Sequence, residues 1–300
     1  MTWGDVEILF EKLIKPATAT PDPLQIFKLS FLDQTAPHSY ASLLYFYHPA
    51  DQDDGKTSIS SAAEISERLE KSLSLVLTRF YPLSGRISLS EGGDIIDSVN
   101  CQDQGVLYRE TRLNCQLNAF LKEAYEDTNL IHLLAPRKLI DNVDDLLVAP
   151  LVRVQLSKFE CGGLVLSVQT LHTVGDGFTG TTFTSEWAKI SRFGMMNDPR
   201  FLIFDVASSV LPTINDISRK IELFPPPNRR PQVKTVMKRF VFDEAAIARL
   251  KDEIMATNCS LLLERQPTKV EVVTALIWRS LIRAAQARHG YLRPSMTSLS

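Results

Sequence analysis

The sequence predicts an α/β protein with two domains. Three observations lead to this prediction: a chain of 300 residues, strand patterns interspersed with amphipathic helices, and a proline-rich stretch at 223–232. A chain of this length buries enough surface to form a packed core without disulfides or metals. Its composition is that of an ordinary globular protein, with 44% hydrophobic and 23% charged residues.

The first strand and helix patterns are clear. The aromatic and aliphatic segment YASLLYFY (40–47) predicts a buried strand, followed by a polar loop. Ser61 and Glu64 form a capping-box pattern ahead of apolar residues spaced by three and four, which predicts a helix that stops at Pro82. The Ser-Gly pair ending at Gly85 predicts a turn into another strand.

Residues 148–172 predict two strands joined by a Cys-Gly-Gly turn. The first strand alternates apolar and polar residues, whereas the second is apolar on both faces at its start, as expected for a central strand. Beyond the next glycines, Phe183, Trp187 and Ile190 recur at helical spacing. The pattern is therefore strand, turn and helix, with His172 at the end of the second strand.

The proline-rich stretch divides the chain. We predict an N-terminal domain over 1–193, a crossover linker over 194–232 and the start of a C-terminal domain over 233–300. A linker is expected because the periodic pattern weakens there and prolines cluster.

The part beyond the linker predicts one strand and two helices. VMKRFVF (236–242) alternates like a strand, Asp243 caps one apolar helix, and Thr268 with Glu271 forms a capping box for a second that ends at Gly290. One strand and two helices cannot cover both faces of a sheet. We therefore expect the second domain to be incomplete.

Charge and cysteine content argue against several classes of protein. Thirty-three basic and thirty-five acidic residues are interspersed, so a nucleic-acid partner is not expected. The four cysteines lack paired spacing, which predicts free thiols in a reducing compartment. Acidic residues interrupt the N-terminal apolar stretch, and no apolar run approaches the roughly 18 residues of a membrane span. We expect a cytosolic protein with no membrane partner.

The motif HTVGDG contains the candidate catalytic residue, His172, together with Asp176 and Gly177. A neutral imidazole at the end of a strand, where α/β sheets form ligand crevices, can act as a general base. Gly175 and Gly177 argue against a helix that would place Asp176 beside His172, so we expect the carboxylate to hold the loop, for example by an ion pair. The spacing alone leaves open whether His172 is a catalyst or a strand-end residue satisfied by the backbone.

Other chemistries lack their motifs. The sequence has no GxSxG, HExxH or Gly-rich phosphate loop, and His172 with Asp176 has no third ligand at metal spacing, so no metal is expected. A solvated or capping role is expected for the other histidines: His38, His48, His132 and His289.

Four segments, in this order, resemble motifs of the plant BAHD acyltransferases, and most closely their alkaloid acetyltransferases: FYPLSGR, FECGGLVLSVQTLHTVGDG, MKRFVFD and PTKVEVVTALIWR. The resemblance covers essentially the whole chain. It implies a chloramphenicol-acetyltransferase-like fold with mixed sheets in two α/β domains, joined by a long crossover. It also implies a channel between the domains, in which acyl-CoA and the acceptor approach the histidine from opposite ends.

The resemblance also implies a role for each site residue. His172 would deprotonate the acceptor hydroxyl or amine, which attacks the thioester of acyl-CoA, with acetyl-CoA as the expected donor, no acyl-enzyme and no metal. Asp176, with Gly177, would be structural and pair with an arginine of a downstream strand. Thr268 and Lys269, at a helix N-terminus, would contact phosphates of CoA, and an ordinary helix cap is the alternative for Thr268. The expected enzyme is a monomer.

Two departures from the family pattern leave a choice of hypotheses. The second family signature, Asp-Phe-Gly-Trp-Gly, is absent, and Leu171 stands where relatives carry a small or polar residue. The chain is therefore either an O-acyltransferase of plant specialised-metabolite alcohols in C-terminally shortened form, or a truncated inactive homologue that at most binds ligands or proteins. A condensation-type domain fits less well, because that class usually has a second histidine at the position of Leu171.

Overall fold

The computed structural model describes these parts of the chain: 6–49, 62–92, 95–136, 140–194, 206–213, 240–256 and 265–290. The chain divides into two compact units, Met1–Thr235 and Val236–Ser300. The first unit contains two β-sheets with helices, so the α/β class predicted from the sequence is confirmed.

A five-stranded mixed sheet forms the centre of the first unit. The parallel pair is β6 with β7, and the other neighbouring strands are antiparallel. The spatial order is β1 (Glu7–Ile14), β6 (Val106–Leu113), β7 (Val152–Phe159), β8 (Leu164–Leu171) and β3 (Tyr40–Tyr47).

The predicted pair of strands around Cys-Gly-Gly is the antiparallel hairpin of β7 and β8. Gly162 has a φ of 80°, a left-handed conformation that glycine adopts without steric cost, so the turn requires this residue. Every residue of β8 after Leu164 is buried, as predicted for a central strand. The strand leading to His172 is therefore fixed on both faces.

Strand β3 has the predicted bounds, but it is not buried as expected. It lies at the edge of the sheet, where Phe46 is 39% and Tyr47 is 53% exposed. Among the described residues it pairs with β8 alone, so its outer side is not covered by a neighbouring strand. An aromatic, uncharged segment indicates a strand but does not reveal its position in the sheet.

One face of the sheet packs against α2 (Ala62–Arg79) and α5 (Gly177–Phe193). The Phe80 and Phe183 rings meet edge to face with centroids 5.3 Å apart. The Trp187 indole N–H donates to Ser72 Oγ at 2.9 Å, which satisfies its polar atom inside the core. The sequence predicted both helices; Ser61 of the predicted capping box lies outside the described residues.

A buried carboxylate ties this helix layer to the sheet. Glu110 on β6 is 1% exposed and accepts hydrogen bonds from Tyr108 Oη at 3.1 Å and from Ser66 on α2. Lys158 on β7 supplies the counter-charge, with Nζ 2.5 Å from Glu110 Oε2. The buried carboxyl group is therefore both hydrogen-bonded and paired with a cation.

The opposite face is covered by α3 (Leu117–Glu126) and a 3₁₀ turn, Thr128–Leu134. A second antiparallel sheet has the order β2 (Ile26–Lys28), β5 (Ile96–Asn100) and β4 (Arg86–Leu89). The remaining short α-helices of the described first unit are α1 (Phe31–Thr35), α4 (Val143–Val148) and α6 (Val206–Val210), and two further 3₁₀ turns are Asp22–Leu24 and Tyr81–Ser84.

The second unit contains the two helices that its sequence predicts. Helix α7 (Glu244–Met255) is capped by Asp243, which accepts from the Ala246 N–H at 2.7 Å, and α8 (Lys269–His289) begins with the predicted capping box. Of the predicted strand at 236–242, only the last three residues are described, and they have no regular secondary structure.

The domain boundaries stay predictions. Of the proposed linker, the structure describes residue 194 and residues 206–213, where α6 lies, and the rest falls outside the described residues.

Gly85 stands where two segments of backbone come into close contact. A Cβ at this position would lie 2.5 Å from the Asn100 carbonyl oxygen and 2.6 Å from Val99 Cγ1. Its φ of −83° is accessible to any residue, so the requirement for glycine is steric. The glycine of the FYPLSGR segment therefore allows β4 to leave the turn against β5.

We expect Gly85→Ala to lower the free energy of unfolding by about 1–3 kcal/mol, because a backbone oxygen cannot yield as a side chain can. Gly180→Ala is the matched control, since its Cβ would meet only Leu43 Cδ1, at 3.9 Å, and it lies within α5. There we expect a gain of about 0.5–1 kcal/mol from helix propensity. Urea denaturation measures both; equal effects would contradict the steric explanation.

Candidate active site

His172 lies immediately after β8, in a tight turn. The Val174 N–H donates to the Leu171 carbonyl at 3.0 Å and closes the turn, and the His172 N–H donates to the Ser39 carbonyl at 2.9 Å. The residue is half-buried. Its imidazole has no hydrogen-bonding or ionic partner within the described part of the chain, so the backbone of His172 is satisfied while its ring nitrogens are available.

The structure adds His38 to the surroundings of His172. His38 is half-buried, and its Nδ1 lies 2.8 Å from the hydroxyl of Thr173, which is fully buried. Burial lowers the pKa of the His38 imidazole below its usual value. For His38, the expectation of a solvated or capping role was wrong, because β3 brings this residue against the end of β8.

The register of β3 with β8 explains this contact. Tyr40 is opposite Leu171, so the next positions in the antiparallel ladder place Ser39 opposite His172 and His38 opposite Thr173. Sequence reasoning identified both strands but did not pair them. An antiparallel alignment of 40–47 with 164–171 is the signal that could have found His38.

Asp176 is the N-cap of α5. Its Oδ1 accepts the Thr179 N–H at 2.8 Å and the Thr179 hydroxyl at 2.9 Å. Burial acts to raise the pKa of this carboxyl, but the hydrogen bonds from Thr179 outweigh it and hold the pKa below its usual value. No ion pair to Asp176 is present among the described residues, where its carboxylate caps α5.

The two glycines of the motif have different positions. Residues 172–174 form a turn instead of a helix, in agreement with the argument from glycine, and α5 begins directly at Gly177. A Cβ at Gly175 would lie 2.8 Å from Thr170 Cγ2, so the turn folds tightly back on its own strand. Asp176 thus organises the segment after His172 from the helix side.

Thr268 and Lys269 lie at the start of α8 in the second unit. Thr268 accepts from the Glu271 N–H at 3.2 Å, and its own N–H donates to Glu271 Oε2 at 2.7 Å. Arg265 binds both carboxylate oxygens of Glu271, at 3.0 and 2.7 Å, and this pairing lowers the pKa of Glu271 to about 2. Thr268 therefore forms an ordinary capping box, the alternative that the sequence left open.

Lys269 remains accessible to a ligand. Its side chain is 70% exposed, and Nζ lies 3.9 Å from Glu244 at the start of α7. An open pocket of about 390 Å³ lies between α7 and α8. The apolar part of its lining consists of Phe242, Ile247, Val270 and Val273. Its polar part consists of Glu244, Lys269 and Thr274.

The described residues contain neither a cluster of metal ligands nor a membrane-spanning helix. No group of three or more His, Cys, Asp or Glu side chains in the described ranges is arranged to hold a metal ion. In the same parts of the chain, no helix has both the length and the apolar character needed to cross a bilayer.

Comparison with known proteins gives consistent matches. The chain is 35% identical over 294 residues to acetyl-CoA-benzylalcohol acetyltransferase of Clarkia breweri, covering 95% of this chain and 62% of that protein. It is 32% identical over 292 residues to vinorine synthase of Rauvolfia serpentina, with the same two coverages. The chain thus spans about three fifths of the length of these relatives.

Solved structures support the expected fold class. The crystal structure of vinorine synthase matches with a TM-score of 0.70 and 31% identity, over 95% of this chain and 62% of that one. F. sporotrichioides TRI101, solved with coenzyme A and T-2, matches with a TM-score of 0.56 and 19% identity, over 88% of this chain and 60% of that one. The prediction of an acyltransferase fold of the chloramphenicol-acetyltransferase type is confirmed.

The family model described as the Transferase family matches residues 4–295, nearly the whole chain. This match, the curated relatives and the vinorine synthase fold agree with the resemblance found in the four sequence segments. The chain belongs to the Transferase (BAHD) family.

Proposed function

We propose that this protein is an acyl-CoA-dependent O-acyltransferase, with acetyl-CoA as donor and a plant specialised-metabolite alcohol as acceptor. The observation that carries the proposal is the half-buried imidazole of His172, held at a strand end with its ring nitrogens unpartnered by any described residue. The names of the relatives, which include an acetyl-CoA-dependent benzyl alcohol acetyltransferase, support the donor and the hydroxyl acceptor.

In the proposed reaction, a nitrogen of neutral His172 accepts the proton of the acceptor hydroxyl. The alcohol oxygen attacks the thioester carbonyl, the carbon–sulfur bond breaks, and CoA leaves as a thiolate that takes the proton from the imidazolium. The ester and free CoA are the products. Holding both substrates at one imidazole provides proximity, so no acyl-enzyme and no metal takes part.

The other residues support this reaction from a distance. Asp176 and Gly177 begin α5 and set the course of the chain after His172. Lys269 is proposed to contact a phosphate of CoA, whereas the Thr268 hydroxyl and N–H are already hydrogen-bonded in the capping box. The cytosolic location and the monomeric state stay predictions.

We expect His172→Ala to reduce acetyl transfer by about 100-fold or more, the usual contribution of a general base. Release of free CoA from acetyl-CoA with benzyl alcohol measures turnover, and circular dichroism checks the fold. His132→Ala, at an exposed histidine, is the control and should retain activity. Full activity of His172→Ala would show that His172 is not the general base. A folded wild-type chain that releases no CoA with a panel of alcohols would favour the inactive homologue.

Asp176→Ala is expected to destabilise the fold by about 0.5–2 kcal/mol, because the helix cap is lost. Asp176→Ser should retain the helix cap, since a serine hydroxyl can accept the same hydrogen bond. The folded-state pKa of Asp176 is lowered, so its stabilisation is present above the unfolded value of about 3.9 and is lost as pH falls through the folded pKa. The stability difference between wild type and Asp176→Ala should therefore narrow from about pH 7 to about pH 3. The difference between Ser and Ala variants should stay constant with pH. Thermal unfolding measures both, and parallel pH profiles would contradict the role of the ionised cap.

Lys269→Gln is expected to raise the KM for acetyl-CoA about three- to tenfold with kcat unchanged, since a charge-assisted hydrogen bond to phosphate is lost. Acetyl-dephospho-CoA lacks the ribose phosphate. If Lys269 contacts that phosphate, the variant and the wild type should have the same KM for this donor. Lys189→Gln, at an exposed lysine on α5, is the matched control. An unchanged KM would remove Lys269 from the donor site.

A further inference from the structure

A short segment ahead of β3 holds the end of β8 through two hydrogen bonds. The carbonyl of Ser39 accepts the N–H of His172 at 2.9 Å, and Nδ1 of His38 lies 2.8 Å from the Thr173 hydroxyl. These contacts continue the antiparallel register beyond the last paired residues, Tyr40 and Leu171. Consecutive residues of one segment thus bind consecutive residues of the turn that carries the candidate base.

Loss of the hydrogen bond between His38 and Thr173 would disturb the turn that carries His172. Thr173 is fully buried, so its hydroxyl cannot exchange its partner for bulk water without a change in the turn. Thr173 and His172 are the two central residues of the turn closed by Val174 and Leu171. A shift of Thr173 therefore rotates the peptide that precedes it and moves the imidazole of His172.

The segment is itself anchored to the sheet. Tyr40 Oη donates to the Pro150 carbonyl at 2.6 Å, and the Arg153 guanidinium lies over the Tyr40 ring, 3.8 Å from its centroid. Arg153 is 2% exposed, so this stack is inside the protein. Because these contacts hold Tyr40, His38, two residues earlier, can act as a rigid support for Thr173.

We infer that His38 is a positioning residue, which fixes the orientation of His172 through the hydroxyl of Thr173. The catalytic consequence of this inference rests on the proposed function. The hydrogen bond and its effect on the turn are independent of that function. A displacement of about 1 Å at a reacting group is enough to slow a positioned reaction strongly.

Paired substitutions test the bond at each end. Thr173→Val removes the hydroxyl and keeps the shape, whereas Thr173→Ser keeps the hydroxyl. His38→Ala removes the ring, whereas His38→Asn places an amide near the position of Nδ1. Thr111→Val is the matched control, because Thr111 is 1% exposed and bonds Ser157 Oγ at 3.0 Å on another part of the sheet.

The first measurement is amide hydrogen exchange at His172 by NMR, which requires no catalytic activity. We expect exchange of this N–H to become about tenfold faster in Thr173→Val and His38→Ala, and to stay near wild type in Thr173→Ser, His38→Asn and Thr111→Val. Unchanged exchange in the two disrupting variants would overturn the inference, as would an equal increase in Thr111→Val.

The second measurement is steady-state acetyl transfer. The disrupting variants should lose about tenfold in kcat with KM nearly unchanged, and the conservative variants should recover it. The double variant Thr173→Val with His38→Ala should be no worse than either single variant, since both remove one interaction. Additive losses, or a rise in KM alone, would contradict positioning. A wild-type chain without His172-dependent transfer would refute the proposed function, while the exchange data would still decide whether the contact holds the turn.

Discussion

The placement of β8 between β7 and β3 is the constraint on which the candidate site depends. From Val165 to Leu171 this strand is buried, so its direction is fixed by packing on both faces and by hydrogen bonds on both edges. A residue that follows such a strand leaves the sheet at a defined place. His172 is that residue, and its ring is half-exposed because the sheet ends there.

Two neighbouring segments share the control of this position. The residues ahead of β3 hold the turn from the side of the sheet, and Asp176 holds it from the side of α5. In a Ser-His-Asp triad, by contrast, the carboxylate binds the imidazole itself and sets its tautomer. Here the carboxylate of Asp176 caps α5, and the imidazole of His172 has no hydrogen-bonding partner among the described residues.

Most local elements could be predicted from the sequence, because each depends on a short pattern. Capping residues marked α7 and α8, alternation marked β7, and the motif around His172 marked the candidate site. The contact between His38 and Thr173 could not be found in this way, since it joins residues 135 positions apart and depends on strand pairing. The same limit explains why β3 was expected to be buried. Its composition fits an edge and an interior strand equally well, and only the order of strands distinguishes them.

The two edges of the central sheet differ in character. Strand β1 carries Glu7, Glu11 and Lys12, and its register shifts between Ile8 and Phe10. Strand β3 has no charged residue, proline or irregularity in its eight residues, and among the described residues its outer backbone groups face no other strand. Charges and irregular register discourage a further strand from pairing, and a regular uncharged edge does not. Among the described residues, β3 is therefore the edge of this sheet that is more open to pairing with a further strand, and β1 is the more protected edge.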